Sequence, residues 1–203
     1  MILNRVSGYT SLMLCIAITA ISAFGQTNNL LWNPNADDGT SSWGAYGDAT
    51  VEQTSDGNRH FVVRNRGNFF QDVTLPTGST GKYALLIGRT SSERINTDGA
   101  ITGLPYLYGY MMESTDPGGR IKSYLQARSM LCWAKNPNEW VTVWGVFEVP
   151  SGTGVIRLFL NQAERKDIPQ NGSAARFDDL GLYLVTTEEE AMALVQVYYE
   201  QKH

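Results

Sequence analysis

The chain has 203 residues, 42% hydrophobic and 11% aromatic, with a formal net charge of -4. That is enough apolar material for a core and fits one all-β unit, which excludes a disordered chain. No basic run occurs, which excludes a nucleic-acid footprint, and the scattered charges describe an ordinary soluble surface.

Residues 1–25 read as a signal peptide. Arg5 precedes an apolar run from Leu12 to Phe24, broken by Thr19 and Ser22. The run is shorter than the ~20 residues a membrane span needs. Ala23-Phe24-Gly25 offers small residues at both positions a signal peptidase reads, so cleavage is expected before Gln26. An uncleaved anchor is the alternative. Leu14, before Cys15, is too large for a lipoprotein site. The mature chain is thus expected to be secreted, extracellular or periplasmic, with no span. It keeps a single cysteine, Cys132, so an internal disulfide is excluded and the fold rests on its core, a metal or a partner. Cys132 lies between Leu131 and Trp133 and reads as a small buried hydrophobe, with a reactive thiol as the other reading.

Nine segments of strand length follow, separated by Gly, Pro, Asn and Asp. They are Asp48 to Gln53, His60 to Arg64, Asn68 to Leu75, Lys82 to Arg89 and Tyr106 to Glu113. Then come Gly119 to Ala127, Trp140 to Val149, Gly154 to Asn161 and Ala175 to Val185. Alternation is clearest where Thr142, Trp144, Val146 and Glu148 interleave with Val141, Val143, Gly145, Phe147 and Val149. Asp116-Pro117-Gly118-Gly119 and Thr153-Gly154 are turn signals. This spacing predicts an all-β, two-sheet sandwich over residues 26–185. Thr90 to Gly103 is polar and reads as a long loop. Residues 186–203 switch to helical spacing. Thr187 with Glu190 forms a capping box, and Ala191, Leu194, Val195 and Tyr198, with Met192 as a further member, make one stripe. That helix either packs on the sandwich or meets a protein partner, including a second copy.

One stretch is more specific. Asn29-Leu30-Leu31-Trp32-Asn33-Pro34-Asn35-Ala36-Asp37-Asp38-Gly39, followed by Trp43, resembles the opening of carbohydrate-binding modules of the cellulose- and xylan-binding type. These belong to the galactose-binding-like jelly-roll superfamily. Three further pieces agree in order: Phe70-Gln71-Asp72-Val73 with Tyr83, Asn138-Glu139-Trp140 with Phe147-Glu148-Val149-Pro150, and Phe177-Asp178-Asp179-Leu180-Gly181-Leu182. The sequence departs from the pattern where Asn35 and Ala36 replace Gly-Phe and Asp37 replaces Glu. The resemblance implies a jelly-roll sandwich that binds a glycan. It also implies a structural calcium joining the first loop to the last strand, with Asp37 and Asp178 as ligands; Asp37-Asp38-Gly39 is equally a plain turn.

Sugar rings present apolar C–H faces to aromatics and hydroxyls to polar groups. Tyr106, Tyr108 and Tyr110 alternate on one strand and project from one face, while core packing is the competing reading. Trp133, Trp140 and Trp144 are further stacking candidates, and Arg89, Gln126 and Asn161 are candidate hydroxyl partners. Core is the favoured reading for Trp43 and Trp140. Catalysis is poorly served: His60 and His203 are the only histidines, which leaves no His-rich zinc site and no natural triad. The chain is therefore read as a non-catalytic glycan binder. The alternative is an extracellular structural or adhesive protein that binds protein or self-assembles. Asn171-Gly172-Ser173 is a glycosylation sequon, meaningful only in a eukaryotic secretory pathway.

Overall fold

The computed structural model describes residues 28–94, 103–115, 120–131, 134–163 and 172–202. The signal peptide, Cys132, Trp133, Asn171 and His203 lie outside them. Ten strands form two five-stranded antiparallel sheets. They are β1 (Gly44–Tyr46), β2 (Ala49–Gln53), β3 (Arg59–Val63), β4 (Asn68–Thr74) and β5 (Tyr83–Ser92), then β6 (Pro105–Thr115), β7 (Ile121–Leu131), β8 (Val141–Glu148), β9 (Val155–Gln162) and β10 (Ala175–Val185). Sheet A runs β1-β4-β9-β6-β7 and sheet B runs β2-β3-β10-β5-β8. All nine expected segments are strands. The tenth, β1, has only three residues and gives no readable alternation.

Two apolar clusters hold the molecule. The larger fills the space between the sheets. Phe69, Leu107, Met111, Leu158 and Leu160 come from sheet A, and Phe61, Leu86, Phe147, Phe177 and Leu182 from sheet B. The second lies on the outer face of sheet B, where Leu85, Ile87 and Val185 meet Ala191 and Val195 of helix α1 (Glu188–Lys202). Strand β5 therefore buries both faces and reads as the continuous run Ala84-Leu85-Leu86-Ile87. The helix starts as its sequence signals: the Glu190 N–H donates to Thr187 Oγ1 at 3.2 Å, while the Glu190 carboxylate accepts from the Thr186 N–H at 2.7 Å. Its stripe is Ala191, Leu194, Val195 and Tyr198; Met192 lies off it, 44% exposed, because it projects away from the sheet. The stripe is occupied within its own chain.

Two further expectations change. Thr90, Ser91 and Ser92 are not loop but the buried end of β5, paired with Phe177, Arg176 and Ala175 of β10. Polar side chains disguised a buried strand end. Trp140 does not enter the space between the sheets. It lies on the outer face of sheet B, edge-on to His60 at 5.6 Å with Arg89 5.5 Å from its ring centre. Trp43 is core, packed 4.9 Å from Phe61. A bulge interrupts the β5–β10 register between Asp178 and Gly181, so the inward positions change from Phe177 to Leu180 and Leu182.

Candidate functional site

The outer face of sheet A follows from strict alternation. With Phe69, Val73, Leu107, Met111, Ile156, Leu158 and Leu160 turned inward, their neighbours turn outward. Antiparallel register then aligns those neighbours into three rows that cross the strands. The first is Tyr46, Asn68, Asn161 and Tyr106; the second is Gly44, Phe70, Phe159, Tyr108 and Ser129; the third is Asp72, Arg157, Tyr110 and Ala127. The middle row is an aromatic shelf. An amide row flanks one side and an ion pair the other.

The rings touch one another. Phe159 stacks on Tyr108 at 4.8 Å with 14° between planes, and Phe70 lies 5.9 Å from Phe159. Tyr106 and Tyr110 stand 5.0 and 5.4 Å from Tyr108, and Tyr124 meets Tyr110 edge-on at 5.3 Å. Tyr124 is 54% exposed; the other five rings are half-buried, each with part of its surface in solvent. Gly44 makes room for the shelf: a Cβ there would lie 2.3 Å from the Phe70 ring. Burial raises the Tyr108 hydroxyl's pKa, partly offset by a hydrogen bond with the Asn161 side chain, so the group stays a neutral donor and acceptor.

The third row carries the face's fixed charges. Arg157 grips Asp72 with two bonds, Nε to Oδ1 at 2.5 Å and Nη2 to Oδ2 at 2.7 Å, and its guanidinium lies 5.0 Å from the Phe70 ring centre. The Asp72 carboxylate keeps Arg157 firmly charged. Two opposed charges and aligned aromatics give a surface of no net charge, with flat apolar platforms and polar groups at its borders.

The other sequence candidates are dispersed. Tyr106, Tyr108 and Tyr110 come together as expected, outside the core. Arg89 is on sheet B, 3.7 Å from Asp179 and against Trp140. Gln126 sits opposite Met111, an inward position, beside Arg128 at the sandwich edge. Trp144 is exposed on β8 and borders a cleft of about 270 Å³ between the edges of the two sheets, with Arg128 and Met130. Trp133 lies outside the described residues. Asn161, expected as a hydroxyl partner, stands in the first row opposite Tyr106, whereas Phe70, Phe159, Asp72, Arg157 and Tyr124 were missed. The signal for Phe159 and Arg157 is present, since Arg157, Phe159 and Asn161 alternate with Ile156, Leu158 and Leu160. What places Phe159 between Phe70 and Tyr108 is register between strands distant in sequence.

Asp37 and Asp178 lie on either side of the Asn58–Arg59 step. Asn58 Nδ2 donates to Asp178 Oδ2 at 2.9 Å, the Asp179 N–H donates to Asp178 Oδ1 at 2.8 Å, and Arg59 Nη1 donates to the Asp37 carbonyl at 2.8 Å. Burial raises the Asp178 pKa, the Asn58 hydrogen bond opposes that shift, and both carboxylate oxygens accept from partners in the fold. The Asp37 carbonyl is engaged by a guanidinium, so Asp37 fits only through its exposed carboxylate. Among the described residues no three His, Cys, Asp or Glu side chains gather around a point.

No family model matches the chain. No curated protein matches it either. Solved structures do match. The chain is similar to the enzymatically active domain of bacteriophage CBA120 tailspike protein 4, at 14% identity and a TM-score of 0.54; the match covers 77% of this chain and 21% of that one. It is similar to TmCBM61, solved in complex with β-1,4-galactotriose, at 20% identity and a TM-score of 0.51, over 77% of this chain and 98% of that one. It also matches the CBM22-1 xylan-binding domain of Paenibacillus barcinonensis Xyn10C, at 14% identity and a TM-score of 0.47, over 79% and 97% of the two chains. The fold is thus the jelly-roll sandwich that the resemblance implied.

Proposed function

We propose that this protein is a secreted, non-catalytic glycan-binding module. On this reading a linear, uncharged glycan lies across the strands of sheet A. The observation that carries it is the middle row, where Phe70, Phe159 and Tyr108 form a continuous shelf with Tyr106 and Tyr110 beside it. Pyranose C–H faces would rest on the shelf, with hydroxyls reaching the amides of the first row and the Asp72–Arg157 pair of the third. Three neighbouring strands spaced ~4.8 Å apart give the shelf a length of ~10 Å between Phe70 and Tyr108, suited to more than a single ring. The TmCBM61 likeness supports the fold's fitness for this task.

The test is a glycan array on the mature protein, followed by titration of the best binder against Tyr108→Ala. The expected result is binding to a neutral chain glycan that falls about a hundredfold in the variant. No binding on the array, or binding untouched in Tyr108→Ala, overturns the reading. A structural calcium belongs to the same reading. Asp178 and the Asp37 carboxylate would hold it, joining the first loop to β10 and taking no part in sugar recognition. Its test is the melting temperature in calcium and in chelator, and equal values overturn it.

A further inference from the structure

The aromatic shelf has a neighbour that the sequence does not advertise. Strand β1 reaches only to Gly44, opposite Phe70, so no strand pairs with Asp72–Thr74 on that side of β4. The segment Asn29–Trp32 runs beside this open edge and leaves a groove of about 470 Å³ between itself and Asp72–Thr74. Asp72 and Thr74 project on the outer face with Phe70, because Val73 between them is in the core. The groove is therefore continuous with the third row and shares its carboxylate.

Trp32 stands at the rim. Its indole is 73% exposed, more than any other large apolar side chain described. Its backbone is fixed. The N–H donates to Gln71 Oε1 at 2.9 Å, and the carbonyl accepts from Gln71 Nε2 at 2.9 Å and from Trp43 Nε1 at 3.1 Å. Gln71 and Trp43 are themselves buried, so the anchor is part of the core structure. An exposed indole costs solvation free energy, and here a rigid mount holds it beside a groove of mixed apolar and polar lining. Trp32 and Asp72 line the same groove, and Asp72 is held by Arg157, whose strand neighbour is Tyr110.

We propose that this groove is an end subsite for the glycan, with Trp32 as its stacking platform and Asp72 and Thr74 as hydroxyl partners. The occupant is an uncharged pyranose at a chain end or branch, since Arg157 already balances the one carboxylate. This rests on the reading of sheet A as a glycan face. It adds that affinity rises with chain length or branching through contacts the shelf does not make.

The probes are xylan- and galactan-derived oligosaccharides from di- to hexasaccharide, titrated against wild type, Trp32→Ala and Thr74→Trp, which fills the groove. Both variants are expected to melt with the wild type, because both positions are exposed. Trp32→Ala should lose about tenfold on the longest probe and nothing on the shortest that binds, and Thr74→Trp should do the same. Equal affinity of both variants and wild type at every length overturns the subsite and leaves the shelf intact. A loss uniform across lengths also overturns it. If the wild type binds no sugar, the reading of sheet A falls and the subsite with it.

Discussion

The two outer faces of this sandwich come from the same kind of strand and have been finished in opposite ways. On sheet B, outward Leu85, Ile87 and Val185 are roofed by α1, and outward His60 and Arg89 lie against Trp140. On sheet A, outward Phe70, Phe159 and three tyrosines meet solvent with nothing packed over them in the described chain. Burial of apolar surface stabilises by roughly 25 cal/mol per Å², so an uncovered aromatic row gives up stability that a helix like α1 would supply. The difference teaches that apolar content alone does not mark a binding face. What sets sheet A apart is apolar content left without a roof and arranged in rows.

The contrast can be broken first from the covered side. Val195→Asp places a carboxylate against Leu85 and Ile87, where α1 is buried. A loss of about 3–5 kcal/mol in unfolding free energy is expected from denaturant titration, with sugar affinity of the folded protein unchanged. Unchanged stability would mean that the roof is not structural. From the open side, Phe159→Ala removes the ring at the centre of the shelf. Affinity should fall about a hundredfold while stability falls far less than for a core phenylalanine, and calorimetry of both quantities checks the split. Gly44→Ala is a finer probe: the added Cβ must push the Phe70 ring aside. A several-fold weakening of binding is expected by titration, and a wild-type isotherm would show that Phe70 can move freely.

The smallest effect concerns pH and belongs again to sheet B. His60 is buried, and neither ring nitrogen has a hydrogen-bond partner. Burial lowers its pKa, Arg176 lowers it further and Glu52 partly opposes both. An unfolded histidine titrates near pH ~6.5. As pH falls through that value the unfolded chain takes up a proton that the folded ring resists, so stability drops until the folded pKa is passed. His60→Gln should flatten that part of the profile of melting temperature against pH. Parallel profiles for wild type and variant would assign the acid sensitivity elsewhere.

How much of this was readable follows the range of the interactions. The strands were legible because alternation is local, and α1 because a capping box and a stripe are local too. The three tyrosines were legible for the same reason. Their partners were not. Phe70, Phe159 and Tyr108 lie far apart in the chain and meet only through the register of β4, β9 and β6. Arg89 and Gln126 read the same as Asn161 as hydroxyl partners, and only the sheet assignment and the inward parity of β7 separate them from it. Thr90 to Ser92 misled because buried polar residues on β5 carry no apolar signature. Trp32 was legible only as part of the opening stretch, and nothing local in the sequence marks its exposure.

The roof of sheet B also fixes a direction. Helix α1 and the aromatic shelf lie on opposite sides of the sandwich, with the shared core between them. Anything joined to the molecule through α1, whether a sensor surface, a bead or a neighbouring domain, leaves the shelf pointing away from the attachment. Immobilisation through that helix would present every copy face outward, whereas a tether placed on sheet A would hide the surface it was meant to display.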